Sequence, residues 1–159
     1  MRVGIGYDIH RLSPGRPLVL GGVAIASPAG LVGHSDGDAL LHAACDALLG
    51  AAALGDIGEH FPDSDPAYDD IDSARLLTAA LEKTRAAGFA PVNLDANILA
   101  EQPRLSPHKA AIRERVAQLL GLPVSRVSIK ARTHEGLDAV GQGQAIAAQV
   151  VVLLEEAQP

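Results

Sequence analysis

Short apolar runs rich in β-branched residues alternate along this chain with segments whose apolar residues recur at helical spacing. That alternation limits the fold more than any single motif. Residues 2–10 carry Val3, Ile5 and Tyr7 and read as a strand. Residues 17–26 set Leu18-Val19-Leu20 and Val23-Ala24-Ile25 around Gly21-Gly22, a hairpin pattern. A polar loop over 34–38 leads into a helix through about residue 50, with Asp36 as its expected cap. Residues 54–70 are dense in Gly, Pro and Asp and read as a loop. A helix follows over 72–87, ended by Gly88. Residues 92–100 form a strand, 107–120 a helix ended by Gly121 and Pro123, and 127–131 a strand. The run 145–154 has a Val150-Val151-Val152 centre, which favours a strand over a short helix. This order predicts an α+β layer, one sheet with helices packed on a face.

The 159 residues suit a single domain, 1–159, and 48% hydrophobic content is ample for its core. Its only aromatic residues are Tyr7, Phe61, Tyr68 and Phe89, so the core must be aliphatic and alanine-based. A net charge of −6 with no basic run argues against nucleic-acid binding. On such an acidic chain, a phosphate ester would need metal ions to offset repulsion. Cys45 is alone, which excludes a disulfide framework or a zinc-finger spacing. It falls among Leu41, Ala44, Leu48 and Leu49 and reads as a small buried hydrophobe. No signal-peptide pattern opens the chain, and no apolar run has membrane-spanning length. A reducing cytoplasmic setting fits best, and a mature organelle protein that has lost its transit peptide is the lesser alternative.

Chemistry concentrates in three places. Asp8 and His10 stand at i and i+2 of the first strand, so both point to one face. His42 lies on the first helix. Two histidines and a carboxylate on separate rigid elements make a set that holds a catalytic zinc and leaves its fourth position open. Asp38, His42 and Asp46 follow at i, i+4 and i+8, either a metal-and-substrate face or a solvated one. Asp36 and Asp38 orient ligands from behind or serve as cap and turn residues. The second place is the loop Gly55-Asp56-Ile57-Gly58-Glu59-His60-Phe61-Pro62-Asp63-Ser64-Asp65-Pro66, long enough to suggest function. The third is Lys130-Ala131-Arg132-Thr133-His134-Glu135-Gly136, whose hydroxyl, carboxylate and cation suit a phosphate and a hard ion. Gly4-x-Gly6 lacks the third glycine of a dinucleotide fingerprint. His60, His108 and His134 read equally as surface residues or ligands.

Together, Gly6-Tyr7-Asp8-Ile9-His10, Gly33-His34-Ser35-Asp36-Gly37-Asp38 and residues 46–58 resemble the 2-C-methyl-D-erythritol 2,4-cyclodiphosphate synthase family. The likeness runs from residue 1 to the last apolar strand. It implies a mixed four-stranded sheet with helices on one face, the sheets lining the interior of a homotrimer with active sites between subunits. It implies a lyase of the non-mevalonate isoprenoid route, which cyclises 4-diphosphocytidyl-2-C-methylerythritol 2-phosphate and releases CMP. By the same resemblance, Asp8, His10 and His42 would hold Zn²⁺ or another divalent transition metal, and Glu135 would hold Mg²⁺ or Mn²⁺. His34 and Thr133 would be catalytic, positioning the phosphates, with Ser35 beside His34 on the substrate. Asp46, Asp56, Gly58, Phe61, Asp63 and Asp65 would hold the methylerythritol part. Residues 100–106, with Ala100, Pro103, Leu105 and Ser106, would form the cytidine pocket, and Ala131 and Arg132 would add substrate contacts.

The chain departs from the family pattern near its third block. Arg132 and His134 flank Thr133 where the family usually has Thr-Thr. Ala139 and Gln142 stand where relatives place a Phe and an Arg that line a central cavity for an isoprenoid diphosphate. Weak or absent binding of such a ligand is expected. Two other functions share the motifs: a zinc-dependent phosphodiester hydrolase and a non-catalytic trimeric binder of nucleotide or isoprenoid.

Overall fold

The computed structural model describes residues 1–62 and 64–157. Four long strands and one short one make the main sheet: β1 (Arg2–Pro14), β4 (Ala29–Leu31), β5 (Phe89–Leu99), β6 (Val127–Arg132) and β7 (Ala145–Glu156). Their order is β4-β1-β7-β5-β6, antiparallel except for β5 and β6. Parallel neighbours need a crossover, which the helix α4 (Lys109–Leu120) supplies. The expected four-strand mixed sheet is present, and β4 adds a three-residue edge that its Ala-Gly-Leu sequence does not announce.

The run 145–154 is the central strand. Ile146, Val150, Val152 and Leu154 are fully buried, while Gln149 and Val151 alternate outward. Its period of two decides against the helical alternative. Helix α1 (Ala39–Ala51) packs on β1 and β7, α3 (Ser73–Ala86) packs on α1, and α4 packs on β6. All three helices of more than one turn lie on one face, as expected. Among the described residues no helix is long and apolar enough to cross a membrane.

The contact between α1 and β1 is unusually close. A Cβ at Gly4 would lie 2.0 Å from the Ala47 carbonyl oxygen, and one at Gly6 would lie 1.8 Å from that of Ala43. Only glycine in the strand and alanine in the helix permit this spacing. The Gly4-x-Gly6 pair is therefore a packing device.

The hairpin of β2 (Leu18–Leu20) and β3 (Val23–Ile25) turns at Gly21-Gly22, both with positive φ. The cap of α1 differs from expectation. Asp38, not Asp36, accepts from Leu41 N at 3.1 Å, because the helix starts two residues later. The loop 54–70 contains one helical turn, α2 (Ile57–His60), and a 3₁₀ turn, Pro66–Tyr68. A further turn of helix, α5 (Asp138–Gly141), precedes β7.

Candidate metal centre

Asp8 and His10 emerge from β1 on the face that meets α1, and His42 stands in the first turns of that helix. Their side chains converge. Asp8 Oδ2 lies 2.8 Å from His10 Nε2 and 3.0 Å from His42 Nδ1, and the two ring nitrogens are 3.1 Å apart. Tetrahedral zinc, with bonds of roughly 2.0–2.1 Å, needs donors roughly 3.3 Å apart. This nearly equilateral triangle is close to one face of that tetrahedron. Three lone-pair atoms this close repel one another unless a cation or a proton sits among them. The group can hold a divalent metal.

The outer ring atoms are also placed. His10 Nδ1 lies 2.7 Å from the Val32 carbonyl, which accepts its hydrogen and turns Nε2 toward the cluster. His42 Nε2 lies 2.9 Å from both Ser35 Oγ and Ser73 Oγ. Burial alone would raise the Asp8 pKa. The His10 and His42 rings beside it instead hold this carboxyl well below the usual range. His10 moves up, chiefly through its hydrogen bond to Asp8. The site thus keeps a carboxylate ionised where a cation would sit.

The triad opens into a cleft of about 700 Å³. Of the expected site residues, His34, Ser35, Asp46, Gly58 and Phe61 line it beside the triad. Asp46 accepts from Ile57 N at 2.8 Å and so ties the start of α2 to α1. Burial pushes its pKa up. Asp56 caps α2 through Glu59 N, and Asp65 caps the 3₁₀ turn through Ala67 N. Asp63 lies outside the described residues.

The stripe Asp38–His42–Asp46 divides. His42 and Asp46 face the cleft, whereas Asp38 is fully buried and structural. Cys45 is buried too, and burial raises its thiol far above the usual range. His60 Nε2–H donates to the Leu54 carbonyl of its own loop at 2.7 Å. His134 pairs with Asp138 at 2.8 Å.

The remaining expected residues form a second group. Ala100 N donates to the Arg132 carbonyl, which joins residues 100–106 to the end of β6. Ala100 and Leu105 are buried there, near Pro103 and Ser106 in sequence. Thr133 Oγ1–H donates to Glu135 Oε1 on the exposed loop after β6. Asp8, Ala148, Ile98 and Ala131 stand in one row across four strands. At roughly 4.8 Å per strand, the two groups are roughly 14 Å apart.

Sequence reasoning missed Ser73, Tyr68, Ile71 and Leu76. Ser73 touches His42, and the other three line the cleft. Tyr68 had a signal: it packs edge-on against Phe61, with ring centroids 5.6 Å apart, in a chain almost without aromatics. Ser73 had none, since Asp72-Ser73 reads as an ordinary helix start.

The model of the YgbB family matches residues 1–155. A 2-C-methyl-D-erythritol 2,4-cyclodiphosphate synthase of Bordetella pertussis is 58% identical over 156 residues, 98% of this chain and 96% of its own. A solved structure of such a synthase in a CDP-bound form superimposes with a TM-score of 0.90 at 42% identity, covering 97% of this chain and 100% of its own. The bifunctional IspDF from Campylobacter jejuni gives a TM-score of 0.94 at 41% identity. That match covers 98% of this chain but only 42% of the longer protein. With its mixed sheet, its Asp-His-His centre and relatives of this identity over nearly its whole length, the chain belongs to the YgbB family.

Proposed function

We propose that this chain converts 4-diphosphocytidyl-2-C-methyl-D-erythritol 2-phosphate to 2-C-methyl-D-erythritol 2,4-cyclodiphosphate with release of CMP. It thereby acts as a phosphorus–oxygen lyase of the non-mevalonate isoprenoid route. The observation that supports this most is the convergence of Asp8, His10 and His42 at the mouth of the cleft.

The 2-phosphate oxygen of the substrate attacks the β-phosphorus of its own diphosphate, and CMP leaves. Nucleophile and leaving group belong to one molecule, so the protein's task is orientation and charge neutralisation. No side chain needs to act as nucleophile, which agrees with a buried, unreactive Cys45. Zn²⁺ held by Asp8, His10 and His42, with Mg²⁺ or Mn²⁺ at Glu135, would supply Lewis-acid polarisation and charge neutralisation at the diphosphate. His34 and Thr133 position the phosphates, and Ser35 assists His34. Asp46, Asp56, Gly58, Phe61, Asp63 and Asp65 form the methylerythritol side. Ala100, Pro103, Leu105 and Ser106 form the cytidine side, with Ala131 and Arg132 adjoining.

The chain works as a homotrimer in the cytoplasm. Two features support the trimer. The two groups of site residues are too far apart across the sheet to form one compact site within a chain. The sheet face away from the helices also leaves Val3, Ile5, Tyr7, Ile9 and Val151 exposed. A neighbour's cytidine side meeting this chain's metal side would answer both.

³¹P NMR of the protein with the cytidylylated 2-phosphate substrate, Zn²⁺ and Mg²⁺ tests the reading, with His42→Ala as control. Cyclic diphosphate and CMP are expected, and the control should lose them. Acyclic phosphates would indicate a hydrolase, and metal uptake without turnover would indicate a binding protein.

A further inference from the structure

We propose that Asp36 and Ser73 form a positioning relay that fixes which nitrogen of His42 faces the metal. The inference rests on the metal-centre reading above.

Ser73 opens α3 and is fully buried. Its Oγ–H donates to Asp36 Oδ1, and its backbone N donates to Asp36 Oδ2 at 3.2 Å. An ionised carboxylate can only accept, so the Ser73 hydroxyl hydrogen is committed to Asp36. What Ser73 Oγ presents to His42 is therefore a lone pair. His42 Nε2, 2.9 Å away, must supply the hydrogen. A neutral imidazole protonated at Nε2 leaves Nδ1 bare, and Nδ1 is the atom that faces Asp8 and the metal position.

Ser35 cannot set this direction by itself. Its Oγ is also 2.9 Å from His42 Nε2 and accepts from Gly37 N at 3.2 Å, and its own hydroxyl can rotate to donate or accept. Asp36 breaks that symmetry. Its position is fixed in turn, since its backbone N donates to the Ile71 carbonyl at 3.1 Å. The loop before α1 and the first turn of α3 thus grip one histidine together.

The test measures Zn²⁺ affinity by competition with a chromophoric chelator for the intact protein, Ser73→Ala, Asp36→Asn and the double variant. The Co²⁺ absorption spectrum of each is a second readout. Ser73→Ala removes the committed acceptor. Asp36→Asn offers an amide that can donate to Ser73 Oγ, which releases the hydroxyl hydrogen to point at His42 and favours the wrong tautomer. Each single change should weaken Zn²⁺ binding roughly 10–100-fold and alter the Co²⁺ spectrum. The double variant should be no weaker than the weaker single, because Asp36 acts through Ser73. Unchanged affinity and spectrum with a lowered melting temperature would overturn the relay and leave a structural role. Additive losses in the double variant would overturn it as well. An unaltered protein that takes up no Zn²⁺ would sink the metal-centre reading and the relay with it. Tight binding by the unaltered protein and both single variants alike would sink the relay alone.

Discussion

Asp38 is fully buried, and its carboxylate accepts backbone hydrogens from Gly21, Gly22 and Leu41 at 2.9, 2.7 and 3.1 Å. One side chain thus closes the hairpin turn and caps α1, the helix that presents His42. Burial pushes its pKa up to about 6, against the pull of those three amides. The unfolded chain titrates near the ordinary 3.8. Between pH 4 and pH 6 the folded state therefore binds more protons, and Asp38 contributes stability that is lost as pH rises through this window. At about 1.4 kcal/mol per unit, the loss is on the order of 3 kcal/mol. Asp38→Asn removes the titration. Urea unfolding at pH 4 and pH 7 should find the stability of the unaltered protein, relative to Asp38→Asn, lower at pH 7 by that order. A gap that does not move with pH would contradict the assignment.

The seam between β1 and α1 sets the metal centre, because it fixes how far the strand's Asp8 and His10 stand from the helix's His42. Gly6→Ala would drive a Cβ to 1.8 Å from the Ala43 carbonyl oxygen, and backbone cannot move aside as a flexible side chain can. A loss of about 3 kcal/mol or more is expected, with weakened metal binding as strand and helix separate. Gly50→Ala, on the same helix with open space around it, should instead stabilise by about 0.5–1 kcal/mol. Chemical denaturation of both variants checks the contrast. The legibility of these features follows their range in sequence. Asp8 and His10 were readable from the period of a strand, and His42 from the period of a helix. The role of Gly4 and Gly6 was not, because it depends on which helix residues lie opposite. The part played by Asp38 stayed open between a functional stripe and a cap, because helical spacing places it one turn before His42 and nothing local reveals that Gly21 and Gly22 reach it. Ser73 sits 31 residues beyond His42 in sequence, and only the docking of α3 on α1 brings them together.

At the scale of the molecule, α1, α3 and α4 cover one face of the sheet, while on the other, among the described residues, the short α5 packs only at one end, with Val140 against Leu99, Ala145 and Ala147. The rest of that second face is divided: Val3, Ile5, Tyr7 and Ile9 of β1 are apolar, while β5 and β6 present Asn93, Asp95, Asn97, Ser128 and Lys130, with Asp95 and Lys130 paired. A trimer that turns these faces inward encloses a central space. Near it the short helix α5 offers Ala139 and its cap Gln142, both exposed, in place of an aromatic ring and a cation. Calorimetry with geranyl diphosphate should therefore detect no tight binding. The apolar half of the face gives a sharper test. Val3 is 69% exposed, Ile5 63%, Tyr7 54% and Ile9 44%, a contiguous strip of the kind that marks an interface. Ile5→Glu places a charge in that strip, where association would bury it unpaired. It leaves the triad intact, because Ile5 points away from α1 and Asp8 points toward it. Light scattering after size exclusion should find three 16.4 kDa chains for the unaltered protein and one for Ile5→Glu. The variant should still bind Zn²⁺, since Asp8, His10 and His42 come from one chain, yet cyclise no substrate, since the cytidine side would have to come from a neighbour. A monomer that remained fully active would refute the inter-subunit site, and a variant that stayed trimeric would remove the β1 strip from the interface.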